Sequence, residues 1–427
     1  MDAPVFGTGP YAVSQPVTRT EDPRLLRGGG VYTDDRNLAG QAFAVFVRSP
    51  VAHGDIKSIG VEAAKAAPGV LAVYTHADID AAGYGTLPNN LPLKGRDGSA
   101  LLKPPRPILA KGRVRNVGEP VVAVIAETLA QARDGAELVE LDIAALPANT
   151  DLAAGVAAGA VQLHEEVPGN VCVDFQMGDA EATAAAFEAA THVTRLRLEN
   201  NQVFVSAMEP RAFIGDYSAD SERYTVYTGC QGVFGMRNLL AAILKEEPAQ
   251  VRVIAGEVGG SFGMKAMPYN EYPVVLLASK QLGRPVKWTA DRSESMLSDH
   301  MGRGSVFEAE LALDGDGKFL AARVNGLANM GGYLTGTGPL AQTVNVCKNL
   351  PCMYLTPAID VNMQCVFTNT TYVGAYRGAG RPEGNYIMER LVDAAAREMG
   401  IDPIEIRRRN LVPPEAMPFT AASGQVY

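Results

Sequence analysis

The stretch Val258-Gly259-Gly260-Ser261-Phe262-Gly263-Met264-Lys265 follows a run of β-branched residues, Val251–Ile254, that favours a strand. Three glycines within five positions let the backbone turn tightly and bring N–H groups close to an anion or an oxo group. Phe262 stands in the middle of the loop, where a polar residue is usual. Its ring either fills the space under the loop or forms the wall of a pocket, and Lys265 could add a positive charge.

This glycine loop (residues 258–265) matches neither of the two common nucleotide-binding motifs. The phosphate-binding pattern G-x-x-x-x-G-K-[ST] fails because Met264 separates Gly263 from Lys265 and Ala266 replaces the hydroxyl residue. The dinucleotide pattern G-x-G-x-x-G fails on its spacing. Taken alone, the stretch therefore leaves a plain strand-to-helix turn and a ligand-binding loop equally open.

Size and charge exclude several classes of protein. A chain of 427 residues favours two or three domains with a large core. The formal net charge of −9 is spread without long runs, which argues against a nucleic-acid partner. No run approaches the ~18 apolar residues that a membrane span needs. The start, Met1-Asp2-Ala3-Pro4, lacks a secretory signal, so the expected location is the cytoplasm.

The cysteine and histidine patterns predict no metal held by protein ligands. Five scattered cysteines suggest reduced thiols, and no cysteine cluster suits an iron–sulfur centre. Five histidines show none of the spacings typical of zinc sites. If the protein is an enzyme, we therefore expect a cofactor to carry the difficult chemistry.

Strand and helix patterns predict an α+β chain in two units. Residues 1–20 form an irregular lead-in, residues 21–150 a compact α/β domain, residues 151–164 a linker, and residues 165–427 a second domain of mixed sheets and helices. The clearest predicted helices in the second unit are residues 271–282 and 383–399, each closed by a glycine.

Three further stretches contain residues that suit a binding site. Gly229-Cys230-Gln231-Gly232 places a carboxamide in a turn, where it is usually just solvated. Met208-Glu209-Pro210-Arg211 pairs opposite charges, which most simply indicates a structural salt bridge. In Tyr376-Arg377-Gly378-Ala379-Gly380-Arg381, two arginines flank a turn that opens a helix, which favours an anion but also suits a plain helix entry.

The order of these stretches resembles one family over nearly the whole chain. The matching segments, in chain order, are Glu21–Leu26, Val117–Pro120, Met208–Ala212, Gln231, Gly259–Lys265, Gly283–Trp288 and Tyr376–Glu383. In these segments the sequence is similar to the molybdenum-binding large subunit of the xanthine dehydrogenase / aldehyde oxidase / carbon monoxide dehydrogenase family. The resemblance implies a "hammerhead" α/β domain followed by the first molybdopterin-binding domain.

The resemblance also implies roles for individual residues. It assigns Gln231, Phe262 and Arg377 to catalysis, with the Gln231 amide near the apical ligand of molybdenum and Phe262 beside the substrate. The residues implied to bind the cofactor are Gln231, Gly260, Ser261, Phe262, Gly263, Arg377, Gly378 and Ala379. The pterin dithiolene holds the metal, so no protein ligand to molybdenum is expected.

The implied function is oxidative hydroxylation of an aldehyde or N-heteroaromatic C–H bond with oxygen from water. The implied cofactor is molybdopterin, in its cytosine dinucleotide form by bacterial analogy. Electrons would pass to 2Fe-2S and FAD groups on partner subunits.

Three departures from the family pattern qualify this function. The carbon monoxide-oxidising branch has a cysteine where this chain has Gly378-Ala379-Gly380, which disfavours carbon monoxide as the substrate. Ala266 replaces an acidic residue of the xanthine branch, which weakens purine recognition. Family members continue into a second molybdopterin domain with a catalytic glutamate, which we expect on a separate or missing segment.

Two other interpretations stay open. One is a truncated, non-catalytic relic or scaffold of the same fold. The other is an unrelated anion-binding α+β enzyme, in which the glycine and arginine loops hold phosphate.

Overall fold

The computed structural model describes residues 19–89 and 91–427, so most of the predicted lead-in (residues 1–20) lies outside the described residues. The strands are β1 Ala42–Arg48, β2 Gly54–Gly60, β3 Val70–Tyr74, β4 Arg113–Val114, β5 Pro120–Ala126, β6 Glu140–Ala145, β7 Val171–Gly178, β8 His192–Asn200, β9 Ala212–Ser218, β10 Arg223–Thr228, β11 Val251–Ile254, β12 Val286–Thr289, β13 Ser305–Leu313, β14 Phe319–Gly331 and β15 Ala358–Phe367.

The α-helices are α1 Asp22–Leu25, α2 Glu62–Ala66, α3 His76–Ala81, α4 Leu129–Glu137, α5 Leu152–Gly155, α6 Ala180–Ala189, α7 Val233–Leu244, α8 Glu271–Leu282, α9 Arg292–Ser298, α10 Gly338–Gln342, α11 Val344–Asn349, α12 Arg381–Met399 and α13 Pro403–Asn410. Short 3-10 turns occupy Pro168–Asn170, Pro248–Gln250, Met264–Ala266 and Pro414–Ala416. Within the described ranges, no helix is both long and apolar enough to cross a membrane.

The strands form three sheets, and the largest joins distant parts of the chain. Its order is β11-β10-β9-β12-β1-β5-β3, and β1 pairs in parallel with β12 through Ala42 with Val286 and Phe43 with Lys287. Strands from both predicted units therefore share one sheet. A second sheet has the order β7-β15-β14-β13-β8, and a third, smaller one has the order β4-β2-β6. The division of the chain into two domains near residue 150 stays a prediction.

Each of the two larger sheets buries an apolar core. In the seven-stranded sheet, Phe213 stacks on Tyr272 of α8 with ring centroids 4.3 Å apart, and Trp288 meets Phe46 edge to face at 5.9 Å. The five-stranded sheet packs against α12, whose Ile387 and Leu391 are fully buried. The apolar stripe that predicted this helix therefore faces the core.

Helix boundaries follow the capping residues closely. Helix α8 covers the predicted 271–282 and ends at Gly283, whose φ of +64° is the left-handed conformation expected of a C-terminal glycine. Helix α7 begins at Val233, because the backbone N–H of Met236 already bonds to the carbonyl of Gly232. The first turn of α7 therefore follows Gln231 almost directly.

Candidate active site

The glycine loop follows β11 and contains backbone conformations that residues with a side chain rarely adopt. Gly260, Phe262 and Gly263 have φ of +102°, +51° and +106°. For Phe262 this left-handed conformation costs free energy, and such strain is concentrated at functional positions. Phe262 is 43% exposed, so its ring does not fill the space under the loop. It forms part of an open surface.

The side chain of Gln231 is held in one orientation by the glycine loop. Its Oε1 accepts the backbone N–H of Gly263 at 2.6 Å and the hydroxyl of Ser261 at 2.5 Å. Because a backbone N–H can only donate, the oxygen must face the loop, and the Nε2 amino group must point the other way. Gln231 is exposed, so this side presents an oriented N–H donor to the open surface.

The Arg377 turn lies against the other side of the glycine loop. The backbone N–H of Arg377 donates to the carbonyl of Phe262 at 2.9 Å, and its guanidinium lies 5.8 Å from the centroid of the Phe262 ring. Gly263 makes this approach possible, since a Cβ there would stand 2.8 Å from the carbonyl carbon of Ala375. The structure therefore brings Gln231, Phe262 and Arg377 to one exposed surface.

The remaining predicted residues shape the two loops. Ser261 uses both functions of its hydroxyl, because Oγ also accepts the N–H of Lys265 at 3.1 Å. Gly378 and Ala379 both have positive φ, at +96° and +44°, so the turn at Arg377, like the glycine loop, contains residues in the left-handed region. The carbonyl of Ala379 accepts from Asn345 at 2.8 Å, which fixes the turn to α11.

An ion pair between Arg303 and Glu383, which was not predicted from the sequence, stabilises the Arg377 turn. The Nη1 atom of Arg303 contacts both carboxylate oxygens of Glu383 at 2.9 Å, and its Nη2 donates to the carbonyl of Arg377 at 2.9 Å. Glu383 is 1% exposed, so the pair is an internal support and not a surface contact. Arg303 lies in no predicted motif, and its separation from Glu383 along the chain left no signal that could have found it.

The predicted salt bridge within Met208–Arg211 has different partners. Glu209 binds Lys265 at 2.7 Å, whereas the fully buried Arg211 binds Asp299 at 2.5 Å and Glu271 at 2.8 Å. The opposite charges of Glu209 and Arg211 therefore pair with residues distant in sequence and not with each other. Lys265 is 1% exposed and paired, so it is not a free cation for an anionic ligand.

The charges around Arg211 form a buried network beneath the large sheet. Glu271 bridges Arg211 and Arg48, whose Nη2 donates to it at 2.6 Å. Burial acts to raise the pKa of the Glu271 carboxyl, but the two arginines outweigh it and lower the pKa to about 2. The Glu271 carboxylate therefore stays ionised. It links β1, through Arg48, to α8 and to the residue that precedes β9, Arg211.

A separate cavity of about 320 Å³ lies away from these loops. His164, Arg115, Lys111 and Glu166 contribute polar groups to its lining. Burial lowers the pKa of His164 to about 4, aided by repulsion from Arg115, so this imidazole is neutral at physiological pH. None of the predicted site residues lines this cavity.

Comparison with known proteins identifies the class of this fold. Residues 163–411 match the model of the molybdopterin cofactor-binding domain, and residues 27–147 match that of the aldehyde oxidase and xanthine dehydrogenase a/b hammerhead domain. The predicted fold class, a hammerhead-like domain followed by a molybdopterin-binding domain, is confirmed.

Individual relatives agree with this class. The chain is 34% identical to the nicotine 6-hydroxylase large subunit of Paenarthrobacter nicotinovorans, over 100% of this chain and 52% of the relative. It is 31% identical to the carbon monoxide dehydrogenase large chain of Afipia carboxidovorans, over 96% of this chain and 51% of the relative. The crystal structure of quinoline 2-oxidoreductase from Pseudomonas putida 86 superimposes with a TM-score of 0.90 at 33% identity, covering 96% of this chain and 51% of that one.

The chain belongs to the family of molybdopterin-binding chains that includes the large subunits of xanthine dehydrogenase and carbon monoxide dehydrogenase. This confirms the resemblance on which the site residues were assigned and removes the unrelated anion-binding enzyme from consideration. The chain spans about half the length of the relatives it matches.

Proposed function

We propose that this chain forms one side of the active site of a molybdopterin-dependent hydroxylase. The observation that carries the proposal is the Gln231 carboxamide, whose oxygen is fixed by Gly263 and Ser261 so that its Nε2 donor faces the open surface. When bound, the cofactor would supply the two-electron redox chemistry. The protein would supply the hydrogen-bond donor, the accessible backbone and the side chains that orient the substrate.

The residues present fit such a cofactor. A pterin dithiolene brings its own sulfur ligands, so the protein needs oriented donors and close backbone approach rather than metal ligands. Gln231 offers the donor, and Gly260 and Gly263 provide a loop whose backbone is accessible. We assign Gln231, Gly260, Ser261, Phe262, Gly263, Arg377, Gly378 and Ala379 to cofactor binding as a proposal.

Each of the three central residues has a distinct proposed task. The Nε2 donor of Gln231 would hold an oxygen ligand of the cofactor by a hydrogen bond. The exposed ring of Phe262 would orient a flat aromatic substrate by stacking, because aromatic rings attract one another in offset-stacked arrangements. The guanidinium of Arg377 would then restrict the space on the far side of that ring.

The proposed reaction converts an aromatic C–H bond and water into a C–OH group, two protons and two electrons. An N-heteroaromatic substrate is favoured over an aldehyde because two similar proteins are named for nicotine and quinoline. Carbon monoxide is disfavoured because residues 378–380 contain no cysteine. The electrons would leave through a small 2Fe-2S subunit and an FAD subunit in the cytoplasm, with the cofactor in its cytosine dinucleotide form.

The test is made on the intact complex purified from its native host. We expect molybdenum, by elemental analysis, at about one atom per chain, and hydroxylation of quinoline-type rings that depends on it. Absence of molybdenum from an intact, folded complex would refute the proposal.

A pair of variants tests the role of Gln231. Gln231→Glu retains an oxygen for Gly263 and Ser261 but loses the Nε2 donor. The turnover number should therefore fall about 100- to 1000-fold, the usual loss for one oriented donor, while molybdenum content stays near that of the wild type. Gln131→Ala, in α4, is the matched control. If Gln231→Glu retains full turnover, the Nε2 donor has no role in the reaction.

A further inference from the structure

Lys265, the last residue of the glycine loop, and Glu209 form an ion pair whose side chains are buried. Lys265 is 1% exposed, and its Nζ donates to the Glu209 carboxylate at 2.7 Å and to the Glu209 carbonyl at 2.9 Å. An isolated ammonium group at this depth would be unfavourable by several kcal/mol, so the carboxylate is required for the lysine to remain charged there. Burial lowers the pKa of the Lys265 ammonium, and Glu209 partly offsets this.

The same carboxylate also binds the backbone of the loop. Oε2 of Glu209 accepts the N–H of Gly259 at 2.8 Å, and the N–H of Glu209 donates to the carbonyl of Gly259 at 2.9 Å. One oxygen atom is thus shared by the Lys265 ammonium and the first turn of the loop. Gly259 can approach this closely because it has no side chain: an added Cβ would collide with Glu209.

Lys265 connects this anchor to Gln231. Its backbone N–H donates to Ser261 Oγ at 3.1 Å, and its carbonyl accepts the N–H of Gln231 at 3.3 Å. Ser261 in turn donates to the Gln231 carboxamide. The loop is therefore held at both ends, by Glu209 at Gly259 and by Lys265 at Ser261 and Gln231.

We propose that Glu209 and Lys265 are positioning residues, which fix the glycine loop so that Gln231 and Phe262 keep their orientation. The pair acts through the backbone of Gly259 and through Ser261, and not by contact with the ligand. Its link to cofactor binding rests on the proposed function, whereas its effect on the loop does not. From the sequence, Lys265 was expected only to add a positive charge to the loop, and Glu209 only to form a structural salt bridge.

The test measures amide hydrogen exchange in the complex with Glu209→Ala, Glu209→Gln and the wild type. Glu209→Ala removes the shared acceptor, so the amides of residues 259–265 should exchange about tenfold to a hundredfold faster, as expected for the loss of a charge-assisted hydrogen bond. The amides of β13 and β14, in the five-stranded sheet, should exchange as in the wild type. Glu209→Gln retains one acceptor oxygen and should restore much of the protection.

A matched control is Glu246→Ala, which removes a glutamate paired with a lysine at the surface, Lys280, at 3.3 Å. It should leave exchange in residues 259–265 unchanged. The proposal is overturned if Glu209→Ala exchanges like the wild type, if it accelerates exchange equally throughout the protein, or if Glu209→Gln is as unprotected as Glu209→Ala.

Molybdenum content separates this inference from the proposed function. Glu209→Ala should retain several-fold less molybdenum than the wild type. If the loop loosens while molybdenum content is unchanged, the link between the pair and the cofactor is wrong. If the intact wild-type complex has no molybdenum, the proposed function fails, and the exchange measurements still decide whether the pair positions the loop.

Discussion

Substitution of Gly263 by alanine tests the contact between the two loops. The added Cβ would stand 2.8 Å from the carbonyl carbon of Ala375 and 3.3 Å from the N atom of Tyr376, and closer still to the Ala375 oxygen. All of these neighbours are backbone atoms, which cannot swing aside as the end of a flexible side chain can. The glycine loop and the Arg377 turn must therefore separate.

Two unfavourable effects determine how far Gly263→Ala lowers the free energy of unfolding. Holding alanine at the φ of +106° seen for Gly263 costs roughly 1–3 kcal/mol, and forcing an extra methyl group against packed backbone costs about as much again. Alanine recovers ~0.4–1 kcal/mol through the lower entropy of the unfolded chain. The net loss in the free energy of unfolding should be roughly 1–5 kcal/mol.

The assay is urea unfolding of Gly263→Ala beside Gly235→Ala. Gly235 lies inside α7, and an added Cβ there meets no atom within 4 Å. This control should gain about 0.5–1 kcal/mol, because alanine favours a helix interior. If Gly263→Ala proves as stable as Gly235→Ala, the two loops are not in the close contact described, and the reasoning fails.

Three further predictions concern the network, the pH response and the exposed ring. Arg211→Met should lower the free energy of unfolding by about 3–5 kcal/mol in urea titrations, because Glu271 and Asp299 lose a buried cation. Burial, with repulsion from nearby arginines, lowers the pKa of His300 to about 3 from its ordinary 6.5. The folded protein thus binds fewer protons than the unfolded chain, so stability is full above pH 6.5 and falls by about 1.4 kcal/mol per pH unit as pH drops toward 3. His300→Phe should reduce this slope in urea titrations at pH 7, 6 and 5, and an unchanged slope would contradict it. Phe262→Ala should change stability by less than about 1 kcal/mol but lower kcat/KM about three- to tenfold, whereas equal kcat/KM would remove the ring from the substrate site.

Helices and strands could be predicted from the sequence where the residues of a single segment determine the structure. The helices at residues 271–282 and 383–399 were predicted within two residues, because an apolar stripe and a terminal glycine define each of them. Strand β11 was also predicted with its observed ends, Val251–Ile254, because its β-branched residues favour an extended backbone.

Long-range pairing could not be predicted, since no local pattern encodes it. The parallel contact between β1 and β12 joins segments about 240 residues apart, and this contact is what merges the two predicted units into one sheet. The predicted pairing of Glu209 with Arg211 was wrong for the same reason. Their closeness in the sequence suggested a salt bridge between them, whereas the fold pairs Glu209 with Lys265 and Arg211 with Glu271. The site residues came from the family resemblance, and their roles stay predictions.

The position of molybdenum in the intact complex tests the central claim most directly. Anomalous diffraction at the molybdenum absorption edge would locate the metal without reference to any assigned role. We expect a single peak beside Gln231, at the exposed surface that also includes Phe262 and Arg377. A peak elsewhere, such as in the cavity near His164, would contradict it.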